Sequence, residues 1–247
     1  MRLSLSTRIY IGLVVVLAAL SAVSIYMPTY QGLVPTQDLP ASKEILAAAN
    51  AGMILVFYGL LGFIGLKLSQ KMGFAALWDT SVSNRQRFLV PAIVGVGIGI
   101  FIIVGDVIFS RFNEFGRLPH PQFPVSLIAS LTAGIGEELI FRLFFVSFWV
   151  WLISYVILRR RWQNRVFWIT AVFSAIVFAA GHIPSFMILY NFETINDVPP
   201  VILLEGLLLN GTLSIFAAYY FRKYGFLAAV GIHFWADVVW HVIWGAF

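Results

Sequence analysis

Long apolar runs occupy most of the chain, and short segments between them hold most of the charged residues. Seven runs are close to the roughly 20 apolar residues that a helix needs to cross a membrane. They cover residues 9–27, 45–66, 88–110, 125–157, 167–190, 200–221 and 226–247. Their length and their lack of two-residue alternation favour helices over the strands of a membrane barrel. The pattern therefore predicts an all-α, polytopic transmembrane helix bundle of about seven spans.

Two of these runs allow more than one interpretation. The fourth is too long for one perpendicular crossing, so we expect a kink near Gly134-Ile135-Gly136 or a separate short helix at its start. The first follows Arg2 and Arg8, as the apolar core of a signal peptide would. Because its apolar run continues to Met27, which is long for such a core, we favour an uncleaved span.

The composition supports a membrane protein. Hydrophobic residues make up 60% of the chain and charged residues 11%, and the mean hydropathy is +0.91. Soluble domains carry roughly 25% charged residues, so this chain could not cover a water-exposed surface. The net charge of +5 comes from short clusters between apolar runs, which argues against nucleic acid as a partner. The lack of cysteine excludes disulfides, thiolate catalysis and cysteine-based metal sites.

Lysine and arginine fall mainly in alternate loops. With a cytoplasmic N-terminus, three of them lie in outer segments, namely Lys43, Arg111 and Arg117. Twelve then lie in inner segments: Arg2, Arg8, Lys67, Lys71, Arg85, Arg87, Arg159, Arg160, Arg161, Arg165, Arg222 and Lys223. This excess predicts an integral membrane protein with its N-terminus in the cytoplasm and its C-terminus outside. Residues 111–124, which contain three prolines, form the most plausible structured outer loop.

The fourth run contains Glu137, Glu138 and Arg142. Ionisable groups inside a span cost about 2.5–3.5 kcal/mol each on insertion scales, so a chain retains them mainly for function or for pairing. Glu138 and Arg142 are four residues apart, share a helix face and can pair. Glu137 points about 100° away from Glu138 and has no local cation, which suits a general acid or base. Alternatively, Arg142 holds both glutamates in a cluster that only stabilises the fold.

Histidines occur in two further runs. In the fifth, Phe178 and His182 share a helix face, although a histidine near a helix end is often just an interfacial residue. In the seventh, His233, Asp237 and His241 form one polar stripe, which could also be a hydrogen-bonded stripe facing the bundle. His241 is closer to the outer end, so we expect it to be interfacial.

The polar residues of these three runs are expected at similar depths in the membrane. Counted from the outer ends, Glu137 is about 12 residues deep, His182 about 8 and His233 about 14. At roughly 1.5 Å per residue these side chains fall within one band of the membrane. We therefore predict an active site buried between spans four, five and seven.

Other polar residues in the spans are assigned no chemistry. Asp106 and Glu205 lie close to outer ends, where we expect them to reach water. His120 lies in a loop and gives no functional indication. Asn210-Gly211-Thr212 matches a glycosylation sequon but lies inside a span, so we discount it.

Three short motifs follow one another in the C-terminal half: Glu137-Glu138-x-x-x-Arg142, Phe178-x-x-x-His182 and His233-x-x-x-Asp237. In this order they resemble the signature of the CPBP family, which includes the type II CAAX prenyl endopeptidases and the bacterial Abi proteins. The resemblance covers about residues 125–244, whereas residues 1–110 resemble no family that we recognise. We therefore divide the chain into N-terminal transmembrane helices, 1–110, and a CAAX-protease-like helical bundle, 111–247.

The resemblance implies an intramembrane, glutamate-dependent endopeptidase that acts on a membrane-embedded or lipid-anchored substrate. It implies that Glu137 activates water with His182, and that Glu138 and Arg142 fix this arrangement. It also implies that His233 and Asp237 stabilise the oxyanion. The family has Asn or Asp at the last position, and an ionised aspartate cannot donate a hydrogen bond. Asp237 must therefore be protonated, or else it orients and charges His233.

Three other functions remain open. A zinc protease would use some of Glu137, His182, His233, Asp237 and His241 as ligands, but the chain has no His-Glu-x-x-His helix, so we expect no cofactor. A non-proteolytic scaffold or bacteriocin-immunity protein would use the same fold to bind a partner. A proton-coupled transporter would also retain buried carboxylates, but no inverted repeat is evident in the helix pattern.

Overall fold

The computed structural model describes residues 3–27 and 41–247, so Arg2 lies outside the described residues. Within these residues the regular structure is helical, and seven helices are long and apolar enough to span a membrane. We number them spans 1 to 7: Leu5–Ser24, Lys43–Lys71, Arg85–Phe109, Val125–Ile157, Gln163–Tyr190, Pro200–Tyr224 and Phe226–Ala246. The predicted all-α fold of about seven spans is confirmed.

The outside of the bundle is apolar, and several charged side chains lie in its interior. Ile169 has 70% of its surface exposed, whereas Glu138 and Arg142 have none. A water-soluble protein has the opposite arrangement, because exposed apolar surface is unfavourable in water. This surface and the seven long apolar helices identify the chain as an integral, multi-pass membrane protein.

Span 7 lies at the centre of the bundle and packs against spans 3, 4 and 6. Two glycines allow its contact with span 3 to be unusually close. A methyl group at Gly95 would collide with the carbonyl oxygen of Ile232, and one at Gly99 with that of Ala236. The backbones of spans 3 and 7 therefore approach each other directly, next to the histidine motif.

Span 4 is held from its other side by spans 1 and 2. A methyl group at Gly65 in span 2 would collide with the carbonyl of Leu143. In span 1 the hydroxyl of Tyr10 donates a hydrogen bond to the carbonyl of Tyr58, 3.1 Å away. The N-terminal helices thus pack directly against the helix that carries the two glutamates.

Span 4 differs from the prediction in its shape. It is a continuous helix with no interruption at Gly134–Gly136 and no separate short helix at its start. The irregularity begins instead after Glu138, where the hydrogen-bonding pattern widens to that of a π-helix over Leu139–Val146. The same change follows Asp237 in span 7, over Val238–Ile243. Such wider turns often mark functional sites.

Span 5 is divided into two helices, Gln163–Ala180 and Ile183–Tyr190. The break falls at Gly181 and His182, because Pro184 has no N–H to continue the hydrogen bonds of the first helix. His182 therefore lies at the junction and not within a straight helix. The depth that we counted for it assumed a straight helix, which the structure does not have at this point.

Residues 111–124 form a loop that folds back over the ends of spans 3 and 6. The N–H of Leu118 donates to Oδ1 of Asp106, 2.9 Å away. Asp106 and Glu205 are both buried and are neighbours inside the bundle. The expectation that these carboxylates reach water was wrong, because Leu118 and its neighbours cover them.

The same loop contacts span 7. Nδ1 of His120 lies 3.1 Å from Nδ1 of His241, and the His120 ring packs edge-on against Trp240. His120, for which we predicted no role, thus attaches the loop to the polar stripe of span 7. His241 itself is half-buried, and its hydrogen-bond partner is His120 in the loop.

Candidate active site

Glu138 and Arg142 form a fully buried ion pair, as their spacing on the helix predicted. Nε of Arg142 lies 3.1 Å from Oε2 of Glu138, and neither side chain is exposed. The guanidinium also stacks on Phe178, with its central carbon 4.8 Å from the ring centroid. The pair therefore joins span 4 to span 5.

The other oxygen of Glu138 contacts His233. Nδ1 of His233 lies 2.8 Å from Oε1 of Glu138, and because a carboxylate accepts, Nδ1 carries the hydrogen. Nε2 of the same ring lies 3.6 Å from Oδ2 of Asp237 and 3.7 Å from Oε2 of Glu137. His233 thus lies among three carboxylates, and Glu138 has one partner on each oxygen.

Glu137 has surroundings quite different from those of its neighbour. Its side chain is 37% exposed and Glu138 is not exposed at all. Within the described residues, Oε2 of neither glutamate makes a hydrogen bond, although that of Glu138 lies 3.1 Å from Nε of Arg142. Two adjacent carboxylates in opposite environments are suited to different roles, one chemical and one structural.

The tautomer of His182 follows from its hydrogen bond. Nδ1 lies 2.9 Å from the carbonyl oxygen of Phe178, which can only accept, so Nδ1 carries the hydrogen. In the neutral ring Nε2 is then free to accept a proton. Phe178 separates the two imidazoles, with its centroid 4.9 Å from that of His182 and 5.8 Å from that of His233.

A cavity of about 220 Å³ brings these side chains together. Its polar lining comes from spans 4 to 7: Glu137, His182, Ser185, Asn210, His233, Asp237 and His241. Apolar side chains complete the wall, among them Ile102 of span 3 and Leu118 of the outer loop. The predicted site residues thus line or adjoin one cavity, to which spans 3 and 6 also contribute.

Asn210 is a cavity residue that the sequence analysis missed. Its Nδ2 donates to the carbonyl of Gly206 at 3.1 Å, which uses one of the two amide hydrogens. The residue was considered only as part of a sequon. Its presence inside a span was the signal, because a polar group removed from water costs free energy unless it is hydrogen-bonded.

A second hollow, of about 420 Å³, lies between spans 1, 2 and 4. Glu137, Ala129 and Ala133 border both this hollow and the cavity. Tyr58 of span 2 lines the hollow as well, and nothing in the sequence singled it out. The carboxylate of Glu137 therefore lies at a thin wall between two spaces, and most of the other polar side chains line the cavity.

The possible zinc ligands were also compared with the geometry. Within residues 3–27 and 41–247, no three histidine, aspartate or glutamate side chains are arranged so that they could hold a metal ion. His120 and His241 form a pair rather than a group of three.

The fold and the cluster define a polytopic membrane protein with a polar centre suited to hydrolysis. Residues 119–239 match the family model described as Type II CAAX prenyl endopeptidase Rce1-like, and this segment contains all three motifs. This match, over just under half of the chain, confirms the resemblance seen in the motifs. Searches of curated proteins and of solved structures found no match.

Proposed function

We propose that the protein is an intramembrane endopeptidase in which Glu137 activates a water molecule. The contrast between the two glutamates carries this proposal. Glu138 is fully buried and paired with Arg142 and His233, whereas the side chain of Glu137 is 37% exposed and lines the cavity. A general base must be reachable by water and free to take its proton.

The first step uses Glu137 and His182. A water molecule in the cavity hydrogen-bonds to the Glu137 carboxylate and to Nε2 of His182. As its oxygen forms a bond to the carbonyl carbon of the substrate, one proton passes to Glu137. The π electrons of the carbonyl move to its oxygen, which becomes the oxyanion.

Donors on spans 6 and 7 stabilise this oxyanion. When the His233 ring is an imidazolium, its Nε2–H is one donor, and Asp237 at 3.6 Å keeps it oriented and charged. Asp237 itself cannot donate while ionised. The second hydrogen of the Asn210 amide is the other donor, since it is not used by Gly206. Preorganised donors of this kind commonly supply a large part of the rate enhancement.

The intermediate then collapses. The carbon–nitrogen bond breaks, the leaving nitrogen takes the proton held by Glu137, and the carboxylate is regenerated. Glu138 and Arg142 do not touch the substrate in this scheme. They are positioning residues, because they fix the ring of His233.

The substrate that we propose is a membrane-embedded or lipid-anchored peptide or protein. The distribution of lysine and arginine predicts a cytoplasmic N-terminus, and with that orientation Glu137 is in the outer half of the membrane. The apolar hollow beside Glu137, with Tyr58 at its wall, suits a segment that arrives from the bilayer.

The test is hydrolysis by purified protein in lipid nanodiscs. Fluorogenic peptides with a prenyl group or with an apolar helix serve as substrates, and membrane proteomes with and without the protein identify native ones. Wild type is expected to cleave at least one substrate. Glu137→Gln is expected to be inactive, and Glu193→Gln, which removes an exposed carboxylate outside the spans, to be fully active.

Activity that is abolished by a chelator and restored by zinc would support a metal mechanism instead. No cleavage of any peptide or native protein would support a scaffold.

A further inference from the structure

The short connection between spans 4 and 5 has a high density of positive charge. Arg159, Arg160 and Arg161 are consecutive and exposed, and Arg165 follows one turn into span 5. In the part of the chain that the structure describes, none of these guanidinium groups lies within 4.0 Å of a carboxylate. Four cations are thus displayed together without a protein counterion.

This connection has a defined shape. The buried hydroxyl of Ser154 donates to the carbonyl of Arg161 at 2.9 Å, and the N–H of Arg160 donates to the carbonyl of Ser154 at 2.8 Å. Arg159, Arg160 and Trp162 have φ angles of 51°, 67° and 55°, in the left-handed region that side chains rarely adopt. The turn therefore presents its arginines from a fixed backbone.

A hollow of about 290 Å³ lies within this turn. Arg159 and Arg161 line it together with Ile157, Leu158 and Trp162. Ile157 and Trp162 are 63% and 64% exposed, so apolar surface lies directly beside the two cations. A ligand that fits must combine an anionic group with an apolar part.

We propose that this hollow binds the phosphate-bearing headgroup of an anionic phospholipid. The planar guanidinium groups of Arg159 and Arg161 suit the oxygens of a phosphate. Ile157 and Trp162 pack against the glycerol and the first acyl carbons.

A lipid is favoured over free phosphate for two reasons. The turn joins the ends of two spans, where headgroups lie, and free phosphate would leave Ile157 and Trp162 uncovered. The site lies apart from the cavity and does not depend on the protein being a protease.

The experiment measures lipid binding by the full-length protein in neutral detergent. Phosphatidylglycerol, phosphatidylcholine and inorganic phosphate are the three probes, and native mass spectrometry and the melting temperature are the readouts. We expect phosphatidylglycerol to bind and to raise the melting temperature, and the other two to have little effect. The double variant Arg159→Gln/Arg161→Gln should bind it more weakly by a factor on the order of 30, at roughly 1 kcal/mol per basic residue near the surface.

Two further variants make the result specific. Arg111→Gln removes an exposed charge from a different loop and should bind phosphatidylglycerol as wild type does. Trp162→Ala keeps every charge and should still weaken lipid binding, which keeps the proposal testable should the double variant misfold. Equal losses in Arg111→Gln and in the double variant would show attraction by overall charge and overturn the site. Stabilisation by phosphate as large as that by the lipid would overturn the choice of ligand.

Discussion

The imidazole of His233 and the carboxylate of Glu138, 95 residues apart in the chain, lie 2.8 Å apart within the bundle. Glu138 also pairs with Arg142, so one buried carboxylate connects the first and third motifs. The relationship distinguishes the two adjacent glutamates, because Glu137 has only longer contacts, at 3.7 Å, to the same ring.

Exchanging the two glutamates for glutamine should separate chemistry from stability. Glu137→Gln removes the proposed base but leaves the Glu138–Arg142 pair, so we expect no hydrolysis and a melting temperature near that of wild type. Glu138→Gln leaves Arg142 as an unpaired buried charge, which costs roughly 3–5 kcal/mol. We expect it to lower both the melting temperature and the activity, measured on the same preparations. A fully active Glu137→Gln, or one less stable than Glu138→Gln, would show that the roles are assigned wrongly.

The proposed amide donor can be tested through Asn210→Ala. Loss of one oxyanion donor lowers kcat by about 100-fold to 1,000-fold in a known case, and we expect a decrease of that order with KM little changed. Thr212→Ala is the matched control, since this hydroxyl is on the same helix but does not line the cavity. An unchanged kcat in Asn210→Ala would exclude this residue as a donor.

The buried carboxyl pair predicts two opposite effects on stability. Oδ2 of Asp106 and Oε1 of Glu205 have no hydrogen-bond partner among the described residues. Glu205→Gln supplies an N–H that can donate to Asp106, so we expect stability to rise by about 1 kcal/mol. Asp106→Ala leaves the N–H of Leu118 unpaired and should cost roughly 1–3 kcal/mol. Thermal unfolding in detergent measures both, and a destabilised Glu205→Gln would mean that the carboxylate of Glu205 itself is needed.

The loop histidine predicts a dependence of stability on pH. Burial, with a smaller effect of the nearby Arg117 cation, lowers the pKa of His120 to about 4, whereas its pKa in the unfolded chain is about 6.5. Between these values the unfolded chain binds more protons, so acidification from pH 6.5 towards pH 4 should reduce stability. The melting temperature of His120→Gln should be lower at neutral pH but fall less steeply on acidification. The same slope in both proteins would show that another group titrates.

The orientation in the membrane also remains a prediction. The excess of lysine and arginine in alternate loops predicts a cytoplasmic N-terminus and an external C-terminus. Reporter fusions at Phe247 should therefore be active only outside the cytoplasm, and fusions in the 158–162 turn only inside it. A C-terminal reporter that is active only in the cytoplasm would contradict both the orientation and the position of Glu137 in the outer half.

The sequence predicts best what depends on local spacing. The spans follow from the apolar runs, and the Glu138–Arg142 pair follows from a four-residue separation on a helix. The contact of Glu138 with His233 could not be predicted, since it depends on how spans 4 and 7 pack. The burial of Asp106 was missed for a similar reason, because distance from a helix end does not reveal that a loop folds over that end.

The glycines at 65, 95 and 99 have a consequence for how much of the chain the active site needs. They lie outside residues 119–239, yet they set how closely spans 2 and 3 approach the two helices that carry the glutamates and His233. Residues 119–239 therefore share close packing surfaces with helices outside the matched region. If residues 119–239 were expressed alone, span 4 would lose its contact with span 2, and span 7 would lose its contact with span 3. The surfaces that pack closely against Gly65, Gly95 and Gly99 would then face lipid.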